Sequence, residues 1–301
     1  MIRFVLPLIV ATLAACTLPN VHPDFAGLSA DADPTRFTCC ADPERQPLWF
    51  ANAVRDMGAA LEPISSDDGK AGLLAAQPAA RARVAAEAQP FDILVFAAKS
   101  QVVSRMIPGW FTHSGTYLGT EAQLRSAGLW NEPALAPYRD DIRAGRVVVD
   151  SVPPAVRLAS LDEVLSGRDA VLITRPELSR TEKRRGLDTM LALVGRPFDF
   201  RFDASTCDTL ACTEVVCRSF PSLGFPVREA FGAYALFPDD IAAQAIRGEG
   251  LRVVDYVRAT ETAWSAPGLR GAMEDVAGFW GPQSGPPAPV TMGRDLGTCP
   301  L

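Results

Sequence analysis

The fold is decided by the stretch Thr112-His113-Ser114-Gly115-Thr116-Tyr117-Leu118-Gly119 and by the apolar run before it, Phe91-Asp92-Ile93-Leu94-Val95-Phe96. A short apolar run of this kind is typical of a buried strand, so we expect one over 91–96. The segment Thr112–Gly119 predicts a second strand. Because side chains alternate along a strand, His113, Gly115 and Tyr117 share one of its faces.

Outward from these strands, the pattern alternates valine-rich segments with capped helices. Further strands are predicted over 146–152, 169–175 and 251–257. Capping residues and helical spacing predict helices over 47–61, 72–88, 161–166, 180–194 and 209–220. This combination indicates an α+β fold in which a small antiparallel sheet or barrel packs on helices.

Composition limits the class of protein. The chain has 301 residues, 48% of them apolar and 21% charged, which is typical of a globular protein with a sizeable core. A net charge of −6 gives no indication of a nucleic-acid partner. With only two histidines, a three-histidine zinc site is impossible, and we predict no metal and no cofactor. Oligomeric state is not readable from the sequence.

The N-terminus is typical of a lipoprotein leader. A short basic start precedes an apolar run over 4–13 that is too short to span a bilayer but suits a signal peptide. Leu13-Ala14-Ala15-Cys16 resembles a bacterial lipobox, which implies cleavage before Cys16 and acylation of that residue. Thr17 in place of aspartate then implies an anchor in the outer membrane of the cell envelope, facing the periplasm. An ordinary secretory signal is the alternative.

Domain organisation follows from these patterns. The predicted sequence of segments is a signal peptide (1–15), a Pro- and Asp-rich tether (16–46), an N-terminal helical extension (47–89), a catalytic domain (90–260) and a Gly/Pro-rich C-terminal tail (261–301).

Seven cysteines are many for a chain of this length. Export permits disulfides, but the connectivity of Cys39, Cys40, Cys207, Cys217 and Cys299 is not readable from the sequence. One arrangement gives Cys39 and Cys40 two separate partners, with Cys299 as one of them. The five-residue gaps between Cys207, Cys212 and Cys217 match no zinc signature. Asp208 also stands where the calcium loop of an EF-hand needs glycine.

A cysteine hydrolase needs an acidic thiol, a histidine base and a group that orients the histidine. Cys212 lies at the start of a predicted helix, where the helix dipole and free N–H groups favour a thiolate. Cys217 lies deeper in that helix, where a thiol is more often an inert apolar group. Because His22 falls in the tether, His113 is the candidate base. Asp150, on a neighbouring predicted strand, is the natural orienting acid.

These residues resemble a known family. The chain resembles the circularly permuted, papain-like NlpC-type hydrolases of the YiiX/YaeF-like group. The segments that carry this resemblance are Phe91–Leu94, Thr112–Gly119, 148–158, 195–203 and 212–216. The resemblance spans about 90–240 and has the permuted order, histidine before cysteine. Phe91, Phe198 and Asp150 depart from the family's usual Gly, Tyr and Glu.

The resemblance implies the permuted papain-like fold and assigns Cys212 as nucleophile, His113 as base and Asp150 as orienting acid. Glu214 is an alternative acid, which the family motif makes structural. Tyr117 is a candidate oxyanion or substrate contact, with a core position as the alternative.

The expected activity is a cysteine hydrolase, amidase- or peptidase-like, that cleaves an amide or ester through a Cys thioester. Its substrates would be cell-wall peptides or other amino-acid conjugates. Two alternatives remain open: lipid acyl transfer or lipase-like activity on the same fold, and a non-catalytic envelope-binding lipoprotein. The expected partners are therefore a small-molecule, peptide or lipid-conjugate substrate and a membrane reached through Cys16, with no nucleic acid. The insert 121–141 is where we expect specificity or a lid.

Overall fold

A computed structural model describes residues 21–40, 71–98, 104, 107–230, 232–281 and 291–292 of the protein. The predicted leader, Cys16, the predicted helix over 47–61 and Cys299 lie outside these residues. No helix in the described part of the chain is long and apolar enough to cross a membrane.

The centre of the fold is an antiparallel sheet of seven strands, with helices packed against it, as the α+β prediction requires. The strand order in this sheet is β4-β3-β2-β1-β5-β8-β9. The strands are β1 (Ile93–Ala97), β2 (His113–Tyr117), β3 (Arg146–Val152), β4 (Ala155–Ser160), β5 (Ala170–Pro176), β8 (Leu251–Ala259) and β9 (Trp264–Ser265).

A smaller sheet of three strands has the order β10-β6-β7. Its strands are β6 (Pro226–Ala230), β7 (Ala233–Ala235) and β10 (Thr291–Met292).

Eight α-helices lie in the described residues. They are α1 (Pro78–Glu87), α2 (Glu121–Ser126), α3 (Arg139–Arg143), α4 (Leu161–Ser166), α5 (Arg180–Ala192), α6 (Cys212–Ser219), α7 (Pro238–Arg247) and α8 (Gly268–Trp280). Short 3₁₀ turns cover Pro34–Arg36, Leu73–Ala76, Pro133–Tyr138 and Pro221–Leu223.

Local sequence signals account for the best-predicted helix. The Ser179 hydroxyl accepts the N–H of Glu182 at 3.2 Å, and the Glu182 carboxylate accepts the N–H of Ser179 at 2.8 Å. This reciprocal capping box satisfies two N–H groups that have no partner within a helix, so α5 begins where the sequence predicts.

Two predicted helices have different starts in the structure. The helix expected over 72–88 is a 3₁₀ turn followed by α1, because Pro78 has no N–H to continue the turn and instead opens a new helix. The helix expected over 209–220 begins only at Cys212, after an extended N-cap residue, Ala211.

The segment predicted as a tether is partly docked on the body. The N–H of His22 donates to the carbonyl of Gly278 at 2.6 Å, and Arg270 donates to the carbonyls of Leu28 and Ser29. Residues 21–40 therefore lie against α7 and α8 and are not a free linker, in contrast to the expectation for 16–46.

The C-terminal tail expected over 261–301 also needs correction, because α8 lies within it and packs on β8. Met273, Val276, Ala277 and Trp280 are buried at helical spacing. Two glycines of this helix lie next to neighbouring side chains. Gly271 leaves room for Pro267, and Gly278 lies beside the ring of Phe25.

The cysteines pair differently from the suggested arrangement. Cys39 and Cys40 form a disulfide with each other, so they do not serve two separate partners. Cys207 is also disulfide-bonded, whereas Cys212 and Cys217 are free thiols.

Candidate active site

Strand pairing brings a histidine and an aspartate together. In the β2–β3 ladder Gly115 lies opposite Asp150, and His113 lies two residues from Gly115. His113 Nε2 is 3.1 Å from Asp150 Oδ2, and both side chains are buried. A Cβ on residue 115 would lie only 3.2 Å from the Cβ of Asp150. Glycine at this position therefore lets the carboxylate reach diagonally across the sheet to the imidazole.

The second oxygen of Asp150 is held from the other side. Arg157 lies opposite Asp150 in the β3–β4 ladder, and its Nε donates to Asp150 Oδ1 at 3.1 Å. Burial opposes ionisation of Asp150, but the hydrogen bond and charge of His113, with the charges of Arg157 and Arg168, lower its pKa. Asp150 is therefore an ionised acceptor whose two oxygens are both fixed.

Cys212 is the first residue of α6, which packs against β2 and β3. Its thiol is hydrogen-bonded to the His113 side chain. Because His113 Nε2 faces Asp150, the other ring nitrogen, Nδ1, faces the sulfur. Burial raises the pKa of the Cys212 thiol, but the charge and hydrogen bond of His113 and contacts from Ser114 outweigh it, so the pKa is lowered overall.

His113 shows the complementary shift. Burial lowers the pKa of the imidazole and Arg168 adds to that effect, but the charge of Cys212 and the hydrogen bonds to Asp150 and Cys212 raise the pKa above its ordinary value. A lowered thiol pKa and a raised imidazole pKa together favour a thiolate–imidazolium pair. The arrangement can hold a thiol proton on His113 and leave a nucleophilic sulfur.

A stacked aromatic ring fixes the plane of the imidazole. Phe96 is the cross-strand neighbour of His113, and their ring centroids are 5.7 Å apart at 26°. The guanidinium of the buried Arg168 lies 5.8 Å from the Phe96 centroid. Sequence reasoning missed Arg168, which lies in none of the motifs that carry the family resemblance.

A buried carboxylate anchors the segment that leads into His113. Asp239, near the start of α7, accepts the N–H groups of Trp110 and Phe111 and the indole N–H of Trp280, each at 2.7 Å. Phe111 is fully buried and packs edge-on against Tyr256. Asp239 was also missed, because its partners Trp110 and Phe111 are 129 and 128 residues away along the chain.

The two candidate acids have different partners in the structure. Glu214 Oε1 accepts the N–H of Ala211 at 3.1 Å, and Oε2 lies 3.6 Å from Arg218. Burial and the nearby charge of Asp199 raise the pKa of Glu214 to about 8. Glu214 therefore caps its own helix, and Asp150 is the acid that reaches His113.

Tyr117 lies in the core, which is the second of the two positions considered for it. Its hydroxyl donates to Gln123 Oε1 at 3.0 Å, and its side chain is buried. Since a tyrosine has one O–H, this bond uses the donor that an oxyanion would need. Tyr117 is a core aromatic residue that ties β2 to α2.

The second free thiol of α6, Cys217, has a pKa shifted in the direction opposite to that of Cys212. Burial raises the pKa of Cys217 to about 11.

Within the described residues, no group of three or more His, Cys, Asp or Glu side chains is arranged to hold a metal ion.

The fold and this side-chain cluster define a papain-like class of protein in which the histidine strand precedes the cysteine helix. The sequence model of the permuted papain-like amidase enzymes, YaeF/YiiX, C92 family, matches residues 87–266, and the chain belongs to this family. The resemblance expected from the sequence is thereby confirmed. Neither the curated proteins nor the solved structures gave a match.

Proposed function

We propose that the protein is a cysteine amidase in which Cys212 is the nucleophile, His113 the general base and acid, and Asp150 the orienting acid. The observation that carries this proposal is the hydrogen-bonded order Cys212–His113–Asp150 in a buried site. Membership of an amidase family supports the reaction class.

Each step follows from this geometry. His113 Nδ1 takes the thiol proton, and the Cys212 sulfur attacks the amide carbonyl carbon. The N–H groups of Cys212 and Thr213, the first two residues of α6, have no acceptor within the helix and can stabilise the resulting oxyanion. The imidazolium then protonates the leaving nitrogen as the C–N bond breaks, which leaves a thioester. His113 next deprotonates a water, which attacks the thioester, releases a carboxylic acid and restores the thiol.

The proposed substrates are amides of cell-wall peptides or related amino-acid conjugates. A panel of such amides, together with lipid esters, would be incubated with the wild type, Cys212→Ala and Cys217→Ala. We expect amide hydrolysis with the wild type and with Cys217→Ala, and an acyl adduct on Cys212 by mass spectrometry. Activity confined to lipid esters would favour lipid acyl transfer. Activity that survives Cys212→Ala would contradict the proposal.

We also propose that Cys16 is acylated and holds the enzyme at the cell envelope. Because residue 22 is already docked on α8, five residues of chain (17–21) would lie between Cys16 and the body, a distance of at most about 20 Å. The Cys16→Ser variant should move the protein from the membrane to the soluble fraction. An unchanged fractionation would contradict the anchor without affecting the catalytic proposal.

A further inference from the structure

Three hydroxyl side chains occur at alternate positions along and just before β2. Thr112, Ser114 and Thr116 are all buried. Within the described part of the chain, none of their hydroxyl oxygens has a hydrogen-bond partner. A buried donor without an acceptor has an energetic cost, and native proteins contain few of them.

Ser114 differs from the two threonines in what lies next to it. It directly follows His113, and both its backbone N–H and its hydroxyl are in contact with the Cys212 sulfur. The largest effects on this thiol come from His113 and Ser114, not from either threonine. The hydroxyl of Ser114 thus lacks an oxygen or nitrogen acceptor but lies beside a sulfur that can become charged.

We propose that Ser114 is a further catalytic residue, whose hydroxyl donates a hydrogen bond to the Cys212 thiolate. The proposal rests on the proposed function, because it requires Cys212 to be the nucleophile. A neutral thiol is a weak acceptor, whereas a thiolate is a strong one, so the donor is satisfied only once the proton has moved to His113. The Ser114 hydroxyl, which has no partner while Cys212 is a neutral thiol, is therefore already positioned to donate when Cys212 is a thiolate.

The titratable and charged groups near the thiol come from several neighbouring elements. His113 contacts the thiol from β2, Asp150 on β3 and Arg168 before β5 act on His113, and Glu214, whose pKa is about 8, lies two residues further along α6. Removal of the Ser114 hydroxyl leaves all four in place. A change in the titration of Cys212 would thus report the hydroxyl itself.

The test is the pH dependence of iodoacetamide alkylation at Cys212 in the full-length chain, followed by mass spectrometry of the peptide. The variants are Ser114→Ala, Ser114→Thr, which keeps a hydroxyl, and Thr116→Val, a matched control two residues further along β2. We expect Ser114→Ala to move the midpoint upward by about one pH unit, so that alkylation below the wild-type midpoint slows ~10-fold. Ser114→Thr should restore the low midpoint, and Thr116→Val should match the wild type.

Thermal unfolding separates this role from a structural one. Because Ser114→Ala removes an unsatisfied donor, its melting temperature should equal or exceed that of the wild type. A Ser114→Ala profile that overlies the wild type, or an equal shift in Thr116→Val, would overturn the inference alone. If wild-type Cys212 instead titrates as an ordinary thiol, the activated nucleophile of the proposed function fails as well.

Discussion

His113 and Asp150 lie on adjacent antiparallel strands, and the 3.1 Å contact between Nε2 and Oδ2 crosses the sheet diagonally past Gly115. Arg157 fixes the other carboxylate oxygen from the next strand. The orienting acid is therefore held by three neighbouring strands, and not by a mobile loop. This rigidity keeps the imidazole aimed at Cys212.

The Asp150→Asn variant tests the need for two acceptor oxygens. An amide has one oxygen, so either His113 or Arg157 must face an NH₂ group, and the negative charge that favours the imidazolium is lost. We expect kcat/KM to fall about 10²- to 10⁴-fold, measured on the best amide of the panel. Asp162→Asn, which removes an exposed partner of Arg81, is the control and should retain full activity. Wild-type activity in Asp150→Asn would exclude the orienting role.

The activity should have a bell-shaped pH profile. The lowered pKa of Cys212 means that the thiolate forms as pH rises through a value below that of an ordinary thiol, about 8.5. The raised pKa of His113 means that the imidazolium needed by the leaving group is lost only above its ordinary value, about 6.5. We expect kcat/KM to reach a plateau between these limbs. An acid limb near pH 8.5 would show that the thiol is not activated.

Asp239→Ala should destabilise the protein and also reduce its activity. Without the carboxylate, two backbone N–H groups and the indole of Trp280 lose their acceptor in a buried environment. We expect a loss of about 2–5 kcal/mol in the free energy of unfolding, measured by urea denaturation. Asp239→Asn retains one acceptor oxygen and should lie between this variant and the wild type. A stability equal to that of the wild type would contradict the anchoring role.

Glu214→Gln should stabilise the protein only at higher pH. The pKa of Glu214 is about 8 in the folded state and about 4.5 in the unfolded state, so the folded protein binds the extra proton between these values. Its contribution to stability therefore decreases as pH rises from about 4.5 to 8. Glutamine keeps the acceptor for the N–H of Ala211 but does not ionise. We expect the variant's free energy of unfolding, relative to that of the wild type, to be a few kcal/mol higher at pH 8.5 than at pH 5. Urea denaturation at both pH values measures this difference. An equal difference at the two pH values would contradict this assignment.

Much of the fold was predictable because its signals are local. Valine-rich runs and the reciprocal cap of Ser179 and Glu182 specify elements within a few residues, and these appear in the structure close to where they were expected. The helix α8 was missed because its glycines break the apolar pattern; of these, Gly271 is required by the close approach of Pro267. Residues 21–40 dock partly through two carbonyls that accept from Arg270, which is 241 and 242 residues further along the chain. Contacts between residues so far apart in sequence produce no local sequence pattern.

The candidate site was predictable as a set of residue types and as a motif order, but not as a network. With two histidines in the chain, His113 was nearly forced, and strand pairing then brought Asp150 to it. Arg168 and Asp239 act through tertiary contacts, so only the folded chain shows them. The hydroxyl of Tyr117 donates to Gln123, a contact between β2 and α2 that the sequence pattern does not indicate.

The two free thiols of α6 allow a comparison within one molecule that tests whether His113 activates Cys212. Cys212 and Cys217 would be alkylated at pH 6 in the wild type and in His113→Ala, and the rate at each site measured by mass spectrometry. We expect fast labelling of Cys212 and negligible labelling of Cys217, whose pKa is about 11, and a large loss of Cys212 labelling without His113. Comparable rates at the two thiols, or Cys212 labelling that is unchanged in His113→Ala, would contradict this activation.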